Sequence, residues 1–407
     1  MGSFGLLGEH LTHSYSPGIH ALLASYPYDL YEIAPENLEN FLKSGNFSGI
    51  NVTIPYKRDV MPYCAELSDR AKAIGSVNTI LRRADGTLYG DNTDFFGFSH
   101  MLHTGGVTVK GRKILVLGDG GAAATVRAVL RAEGAGEVVT ISRRGENNYD
   151  NLHLHRDAEG IVNTTPVGMF PNNGAAPLDL SLFPALKGVW DLIYNPARTE
   201  LMLQAEELGI PAIGGLTMLV AQAWAAAEQF CGQAIDKAIA DAAYRRISSE
   251  MQNIALIGMP GCGKTTTSQA LAKLTGREVI DVDKEIVRLA GRSIPEIFAG
   301  DGEEAFRALE TQALAEVSKK SGVIIATGGG VVTRARNLPL LWQNSRIVYL
   351  HRETENLATD GRPLSQSKGT AQLARERLPL YEAWADYTVQ ADSAEAAAQI
   401  IKEWIEL

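Results

Sequence analysis

"NIALIGMPGCGKTTTSQALAKL", residues 253–274, decides the reading of the second half of this chain. The apolar run "NIALI" precedes a glycine-rich turn, and "TTTSQALAKL" follows as a helical stretch. Gly258, Gly263, Lys264 and Thr265 hold the defining positions of GxxxxGK[ST], a phosphate-binding loop when it joins a strand to a helix. Backbone N–H groups of such a loop wrap phosphates, Lys264 reaches the β and γ oxygens, and Thr265 ligates Mg²⁺. Cys262 reads as a small loop residue. The loop names a nucleotide and leaves the acceptor open.

Just before it, the helical region 217–247 ends in the polar "AYRRISSE", and 245–250 is the expected domain boundary. The 407 residues suffice for two to four domains at about 100–200 residues each. A 45% hydrophobic and 21% charged composition is that of soluble globular protein. The net charge of −9 excludes a general nucleic-acid binder, which needs basic surface, and leaves anionic small substrates open. Cys64, Cys231 and Cys262 form no metal-ligand spacing, which suits a reducing cytoplasm. "MGSFGLLGEHLTHSYSP" shows no secretory pattern, and "GLTMLVAQAWAAAEQF" is too polar for a membrane span. A cytoplasmic protein with neither membrane nor nucleic-acid partner is expected, with homo-oligomerisation left open.

Strand-like and helix-like segments alternate almost throughout, which predicts α/β architecture with mainly parallel sheets. "GRKILVLGDGGAAATVRAVLRAEGAGEVVTISRR" (111–144) reads as strand, glycine turn, helix and strand. Gly118, Gly120 and Gly121 let backbone approach a pyrophosphate at the helix N-terminus, although a tight structural turn has the same composition. The next strand ends in "TISRR", where an NAD-binding fold usually carries an acid; Arg143 and Arg144 suit the 2′-phosphate of NADP instead. "HLH" (153–155) has no third ligand nearby and reads as solvated histidines.

Upstream, Ser14 and Ser16 in "HSYSP" offer hydroxyls for a carboxylate, or simple helix caps. Lys57 in "NVTIPYK" follows a strand, and Asp94 ends the turn-rich "GDNTD". Each alone has a plain structural reading, surface charge for Lys57 and an Asx turn for Asp94. Their order does not. "HSYSP", "NVTIPYK", "GSVNT", "GDNTD", "GDGGAA" and "GGLTMLVAQ" follow one another as in shikimate dehydrogenases, and residues 1–247 resemble that family. The resemblance implies NADPH-dependent reduction of 3-dehydroshikimate to shikimate, with Lys57 and Asp94 as the catalytic pair. It also implies that Ser14, Ser16, Thr53, Asn78 and Gln222 hold the substrate, joined by Tyr194 of "DLIYNP" and more loosely by Asp69 and Gly215. Gly118, Gly120, Gly121, Ala122, Arg143 and Arg144 would hold the cofactor. The implied lobes are 1–104, completed by helices in 216–247, and a Rossmann-like 105–215. Between "SRR" and "IVNTT" the chain is shorter than is usual in the family, so a trimmed cofactor lobe is expected.

After the second loop, "VIDVDK" places Asp281 and Asp283 at a strand end, two residues apart on one face. "FAGDGEEAFRALE" contributes Arg307 from a helix, "VIIATGGGVV" contributes Gly328–Gly330, and "GRPLS" and "RERLPLY" contribute Arg362 and Arg377. Residues 251–407 resemble shikimate kinase, a P-loop α/β domain of the nucleoside-monophosphate-kinase kind. The implied reaction is ATP-dependent phosphorylation of shikimate to shikimate 3-phosphate. Lys264 and Asp283 would be catalytic, with Asp283 orienting or deprotonating the acceptor hydroxyl. Asp281 (through water) and Thr265 would support Mg²⁺. Arg307 and Arg377 would grip the carboxylate with Gly329 beside the ring. Gly258, Gly261, Gly263, Lys264, Thr265, Thr266 and the lid residue Arg362 would hold ATP. "ENLATDGRPLSQSKG" lacks the arginine that often covers the adenine, and Arg352 is the available substitute. Three rival readings remain at this stage: an NAD-preferring quinate/shikimate dehydrogenase, an inactive module in either half, and a kinase for another small hydroxylated acid.

Overall fold

A computed structural model of the chain describes residues 3–11, 14–353 and 369–406. The chain divides into two compact units. The first comprises residues 1–169, 175–194 and 199–247, and the second 170–174, 195–198 and 248–407.

The first unit opens with β1 (Ser3–Gly8), α1 (Ser16–Leu23), β2 (Tyr28–Glu32), α2 (Leu38–Ser44) and β3 (Phe47–Val52). It continues through β4 (Glu66–Leu67), α3 (Asp69–Ile74), β5 (Thr79–Arg82), β6 (Leu88–Asp91) and α4 (Asp94–Thr104). These strands form a mixed sheet in the order β2-β1-β3-β5-β6-β4, antiparallel only where β5 pairs with β3 and β6. A second sheet follows from β7 (Lys113–Leu117), α5 (Gly121–Ala132), β8 (Glu137–Ile141) and β9 (Gly160–Asn163). It is completed by β10 (Gly188–Asp191), α6 (Glu200–Glu207) and β11 (Ala212–Gly214), in the order β11-β10-β9-β7-β8. All its pairings are parallel. That explains the near-continuous apolar run "ILVL" of β7, whose residues are buried on both faces.

α7 (Leu216–Cys231) and α8 (Lys237–Met251) replace the single long helical region expected from the sequence. Gly232, at φ 66°, ends α7 by donating its N–H to Glu228 O, a left-handed stop that glycine adopts without penalty. The polar stretch 245–250 is not a linker loop, because α8 runs through it, and the two units divide between Ile247 and Ser248 inside that helix.

The second unit is built on β12 (Asn253–Ile257), α9 (Lys264–Thr275), β13 (Val279–Asp281), α10 (Val282–Ala290) and α11 (Ile294–Val317). β14 (Ile324–Ala326), α12 (Asn337–Trp342), β15 (Ser345–His351) and β16 (Tyr387–Gln390) complete the parallel sheet β13-β14-β12-β15-β16. Helices Thr370–Trp384 and Ala394–Glu406 follow β15 and β16. β12 sits at the centre, fully buried, so the phosphate loop leaves the middle strand at its C-terminal end, where ligands bind in open α/β sheets. Both units are thus α/β with parallel-dominated sheets.

Two local expectations change. Asp283 is not on the strand with Asp281. β13 ends at Asp281 because the Asp281 carboxylate accepts from the N–H groups of Asp283 and Lys284, capping α10. Asp283 therefore stands in the first turn of that helix. His155 is also not solvated: it is buried, with Nε2 3.0 Å from Asn147 Oδ1. Among the described residues no group of three or more His, Cys, Asp or Glu is arranged to hold a metal ion. None of the described helices is long and apolar enough to cross a membrane.

Candidate active sites

In the first unit, a cavity of about 540 Å³ opens where the two sheets meet. Lys57 reaches it from the turn after β3. Tyr56, buried and donating its hydroxyl proton to Ile33 O, anchors that turn, and Lys57 O accepts from Val77 N at 2.8 Å. Asp94 begins α4. Its position is set by Thr93, whose N–H donates to Asn78 Oδ1 at 2.6 Å. Lys57 Nζ and Asp94 Oδ2 are 2.6 Å apart, with side chains 31% and 15% exposed. The pair is close enough to share a proton and open enough to meet a ligand.

Ser14, Ser16, Thr53, Asn78, Tyr194, Gly215 and Gln222 all line this cavity. Ser14 Oγ accepts from Ser16 N at 3.2 Å, while α1, whose N-cap is Tyr15, has no side-chain cap hydrogen bond. Asn78 is fixed in orientation. Its Oδ1 accepts from Thr93 N and from the Thr79 and Thr93 hydroxyls, at 2.6–3.2 Å, which leaves Nδ2 to donate. Gly215 has a packing reason: a Cβ there would lie 2.0 Å from Leu192 O. Asp69 is not brought to the cavity; it faces solvent at the start of α3 and pairs with Lys72 at 3.6 Å.

Sequence reasoning passed over Asn51 and Tyr15. Asn51 lines the cavity with its Oδ1 held by Tyr28 at 2.8 Å. Tyr15 meets Tyr194 edge to face at 6.1 Å, and burial, then Tyr194, raises its pKa. Both lie inside motifs already quoted, Tyr15 in "HSYSP" and Asn51 as the first residue of "NVTIPYK".

On the second sheet, Gly118 (φ 102°) turns the chain after β7, and a Cβ there would be 2.8 Å from Thr164 Oγ1. Among the described residues a Cβ on Gly120 or Gly121 would meet nothing within 4 Å, which leaves this start of α5 room for a ligand. Ala122, one residue on, lines the same cavity as Lys57 and Asp94. Arg143 and Arg144 follow the end of β8 and are exposed.

The second unit holds a cavity of about 710 Å³. Gly258, Gly261 and Gly263 have φ of 145°, 85° and 98°, backbone that other residues rarely adopt. The loop they form curls around Lys264, whose buried Nζ donates to Gly258 O at 2.8 Å and Met259 O at 3.0 Å. Gly261, Gly263, Lys264, Thr265, Thr266 and Gly329 line the cavity, with Asp283, Arg307 and Arg377 on the same walls. Asp281 does not line it, because its carboxylate is turned to the α10 cap. Arg362 lies outside the described residues. Arg352 does line the cavity.

The sequence reading missed Glu310. It is fully buried, pairs with Arg307 Nη1 at 2.6 Å, and its Oε1 has no hydrogen-bond partner among the described residues. Arg307 and Glu310 are three apart in "FRALE", one helix face, and that spacing was the available signal. Gly330 permits the arrangement: a Cβ there would sit 2.0 Å from Arg307 Nη1. Arg377, 2% exposed, donates Nη1 to Gly329 O at 3.0 Å, and the Tyr381 hydroxyl donates to the same oxygen.

Burial, followed by the Asp281 and Glu310 charges, raises the pKa of Asp283 to about 6, against the opposing pull of Lys264 and Arg307. A carboxyl in that range is poised to exchange a proton near neutrality. In metal-free protein, a carbon-13 carboxyl resonance is expected to titrate near pH 6 and to vanish in Asp283→Asn. No titration above about pH 5, where ordinary carboxylates have finished, would contradict the burial argument.

Comparison with known proteins agrees with both halves. Residues 6–80 match the shikimate dehydrogenase substrate binding domain, and residues 260–407 match the shikimate kinase family. The shikimate dehydrogenase (NADP(+)) of Clostridium perfringens (strain SM101 / Type A) is 35% identical over 268 residues, 61% of this chain and 98% of that protein. That of Oleidesulfovibrio alaskensis is 38% identical, over 56% of this chain and 88% of its own length. Among solved structures, a chorismate mutase/shikimate 5-dehydrogenase fusion protein from Clostridium acetobutylicum is similar with a TM-score of 0.58 at 36% identity. The match spans 60% of this chain and 96% of that one. Shikimate 5-dehydrogenase from Thermus thermophilus, solved with NADP(H) and shikimate, follows at 0.55 and 33%, over 60% and 99%. The chain belongs to the shikimate dehydrogenase family over its N-terminal part and carries a shikimate kinase domain behind it, making it a bifunctional shikimate-pathway enzyme, oxidoreductase and phosphotransferase in one chain.

Proposed function

We propose that the first unit reduces 3-dehydroshikimate to shikimate with NADPH, and that the second phosphorylates the 3-hydroxyl of shikimate with ATP and Mg²⁺. The observation that carries the reading is the convergence of Lys57 and Asp94, 2.6 Å apart, with the amide of Asn78 and the hydroxyls of Ser14 and Ser16 in one cavity. The proposed lobes are 1–104 with helices from 216–247 for substrate and 105–215 for cofactor. The proposed kinase is 251–407, acting in the cytoplasm.

The open start of α5 at Gly120 and Gly121, with Arg143 and Arg144 beyond β8, fits a phosphorylated dinucleotide. NADPH supplies the hydride when bound. Lys57, held by Asp94, gives a proton to the substrate oxygen as charge develops there. Ser14, Ser16, Thr53, Asn78, Tyr194 and Gln222 hold the carboxylate and hydroxyls, so that the reacting carbon is presented in one orientation.

In the kinase, the left-handed glycines around Lys264 fit a triphosphate, and Thr265 at the head of α9 fits its Mg²⁺. ATP supplies the phosphoryl group and Mg²⁺ offsets its charge. Asp283 takes the acceptor proton, while Arg307 and Arg377 grip the carboxylate; Glu310 holds Arg307 in place. A smaller cavity of about 230 Å³ adjoins the loop, lined by Gly263, Thr266, Arg352 and Ser393 among others. It supports a place for the adenine with Arg352 beside it.

The cofactor assignment is tested by replacing Arg143 and Arg144 together with alanine. Loss of charge-assisted contacts is expected to raise KM for NADPH about 10–100-fold and to leave the NADH reaction unchanged. Equal losses with both cofactors would remove the 2′-phosphate role.

A further inference from the structure

The first unit holds another cavity, of about 550 Å³, walled by α4, α7 and α8. α4 contributes His100, α7 contributes Trp224, and α8 contributes Lys237, Asp241 and Tyr244. None of these residues touches the substrate cavity. Trp224 is held in place: Nε1 donates to Ile235 O at 3.1 Å, and the ring meets Phe96 and His100 edge-on at 5.6 and 6.0 Å. Tyr244 is 38% exposed, so a second aromatic ring stands at the mouth. Lys237 and Asp241 pair at 2.7 Å with side chains 63% and 44% exposed. An exposed i,i+4 pair of this kind holds weakly and exchanges readily for other partners.

The mouth thus offers one cation, one anion and aromatic surface, in a volume suited to a small molecule. We propose that this cavity binds an aromatic α-amino acid, with its ring against Trp224 and Tyr244, its carboxylate on Lys237 and its ammonium on Asp241. A zwitterion answers both charges; an aromatic acid or amine answers one and leaves the other paired only with solvent.

The same two helices serve the substrate cavity from their other faces. α4 begins with Asp94, and α7 carries Gln222. They touch at Gly97, where a Cβ would lie 2.7 Å from Met218 O and 3.0 Å from Gln222 Cβ. A ligand settled between α8 and this pair bears on the helices that position Asp94 and Gln222. This goes beyond the proposed reaction, and its test needs no turnover.

The test is calorimetric titration of the full chain with L-phenylalanine, L-tyrosine and L-tryptophan. 3-Phenylpropionate and phenethylamine serve as analogues carrying one charge. At least one amino acid is expected to bind at one site per chain, with both analogues weaker by about tenfold or more, the loss of one charge-assisted contact. Trp224→Ala and Lys237→Glu should each weaken binding about tenfold, and saturating shikimate should leave the site available. Lys237 is exposed, so its variant keeps the fold even if Trp224→Ala does not. Absence of binding by all three amino acids, undiminished binding by Lys237→Glu, analogues as tight as the amino acid, or displacement by shikimate would each overturn the proposal.

Discussion

Lys57→Ala is expected to lower the rate of 3-dehydroshikimate reduction by about 10²–10⁴-fold, the usual contribution of a positioned proton donor, while phosphorylation of shikimate continues at the wild-type rate. The expectation rests on local architecture as much as on chemistry. The turn that carries Lys57 is held by the Tyr56 hydroxyl on Ile33 O and by Val77 N on Lys57 O. Neither contact involves the lysine side chain beyond Cβ. The side chain is 31% exposed, so its removal leaves no sealed cavity. What goes is the ammonium 2.6 Å from Asp94, and with it the proton for the substrate oxygen. A steady-state assay of both reactions on one preparation checks this. Loss of both activities would point to a damaged fold, and a loss below about tenfold would take Lys57 out of proton transfer.

Asp283→Asn should give the complementary result, with an added sign that a structural defect would not produce. An amide of the same shape cannot accept the acceptor proton, and phosphorylation should fall by about 10²–10⁴-fold with reduction spared. Lys264→Ala should also abolish phosphorylation, through lost charge on the transferring group. The stability effect of Asp283→Asn runs the other way. The folded-state pKa of Asp283, about 6, lies above the ordinary value of 3.8. The associated stability is therefore full below the unfolded value and lost as pH rises through about 6. Above that, the ionised carboxylate costs on the order of 2–3 kcal/mol. Asp283→Asn removes that cost, so Tm near pH 7.5 should rise while kinase activity collapses. A variant that loses activity and Tm together would contradict the assignment.

Much of this was legible in short segments. A phosphate loop is local: three glycines with positive φ, a lysine and a threonine fall within eight residues, and one strand and one helix complete it. The ordered motifs of the first half likewise placed Lys57, Asp94, Asn78 and Gln222, because each motif is itself a turn or helix start at the cavity. What escaped was set by partners distant in sequence or by competing local hydrogen bonds. Asn51 is oriented by Tyr28, and Glu310 takes its role from the buried Arg307 beside Gly330. Asp281 and Asp283 share the alternation of a strand. The Asp281 carboxylate instead caps α10, so the two acids part, one to the cap and the other to the cavity. His155, in a polar segment, is drawn inward by Asn147. The break between α7 and α8 depended on one glycine, Gly232, in an otherwise helical composition.

One measurement bears most directly on the central claim, that the hydroxyl made in the first unit is the one phosphorylated in the second. The intact chain is incubated with 3-dehydroshikimate, NADPH, ATP and Mg²⁺, and products are resolved by mass spectrometry. Shikimate 3-phosphate should accumulate. Lys57→Ala should form it from 3-dehydroshikimate about 10²–10⁴-fold more slowly yet at the wild-type rate from added shikimate, and Asp283→Asn should accumulate shikimate. No phosphorylated product from the wild-type chain, or phosphorylation of 3-dehydroshikimate itself in place of shikimate, would contradict the account.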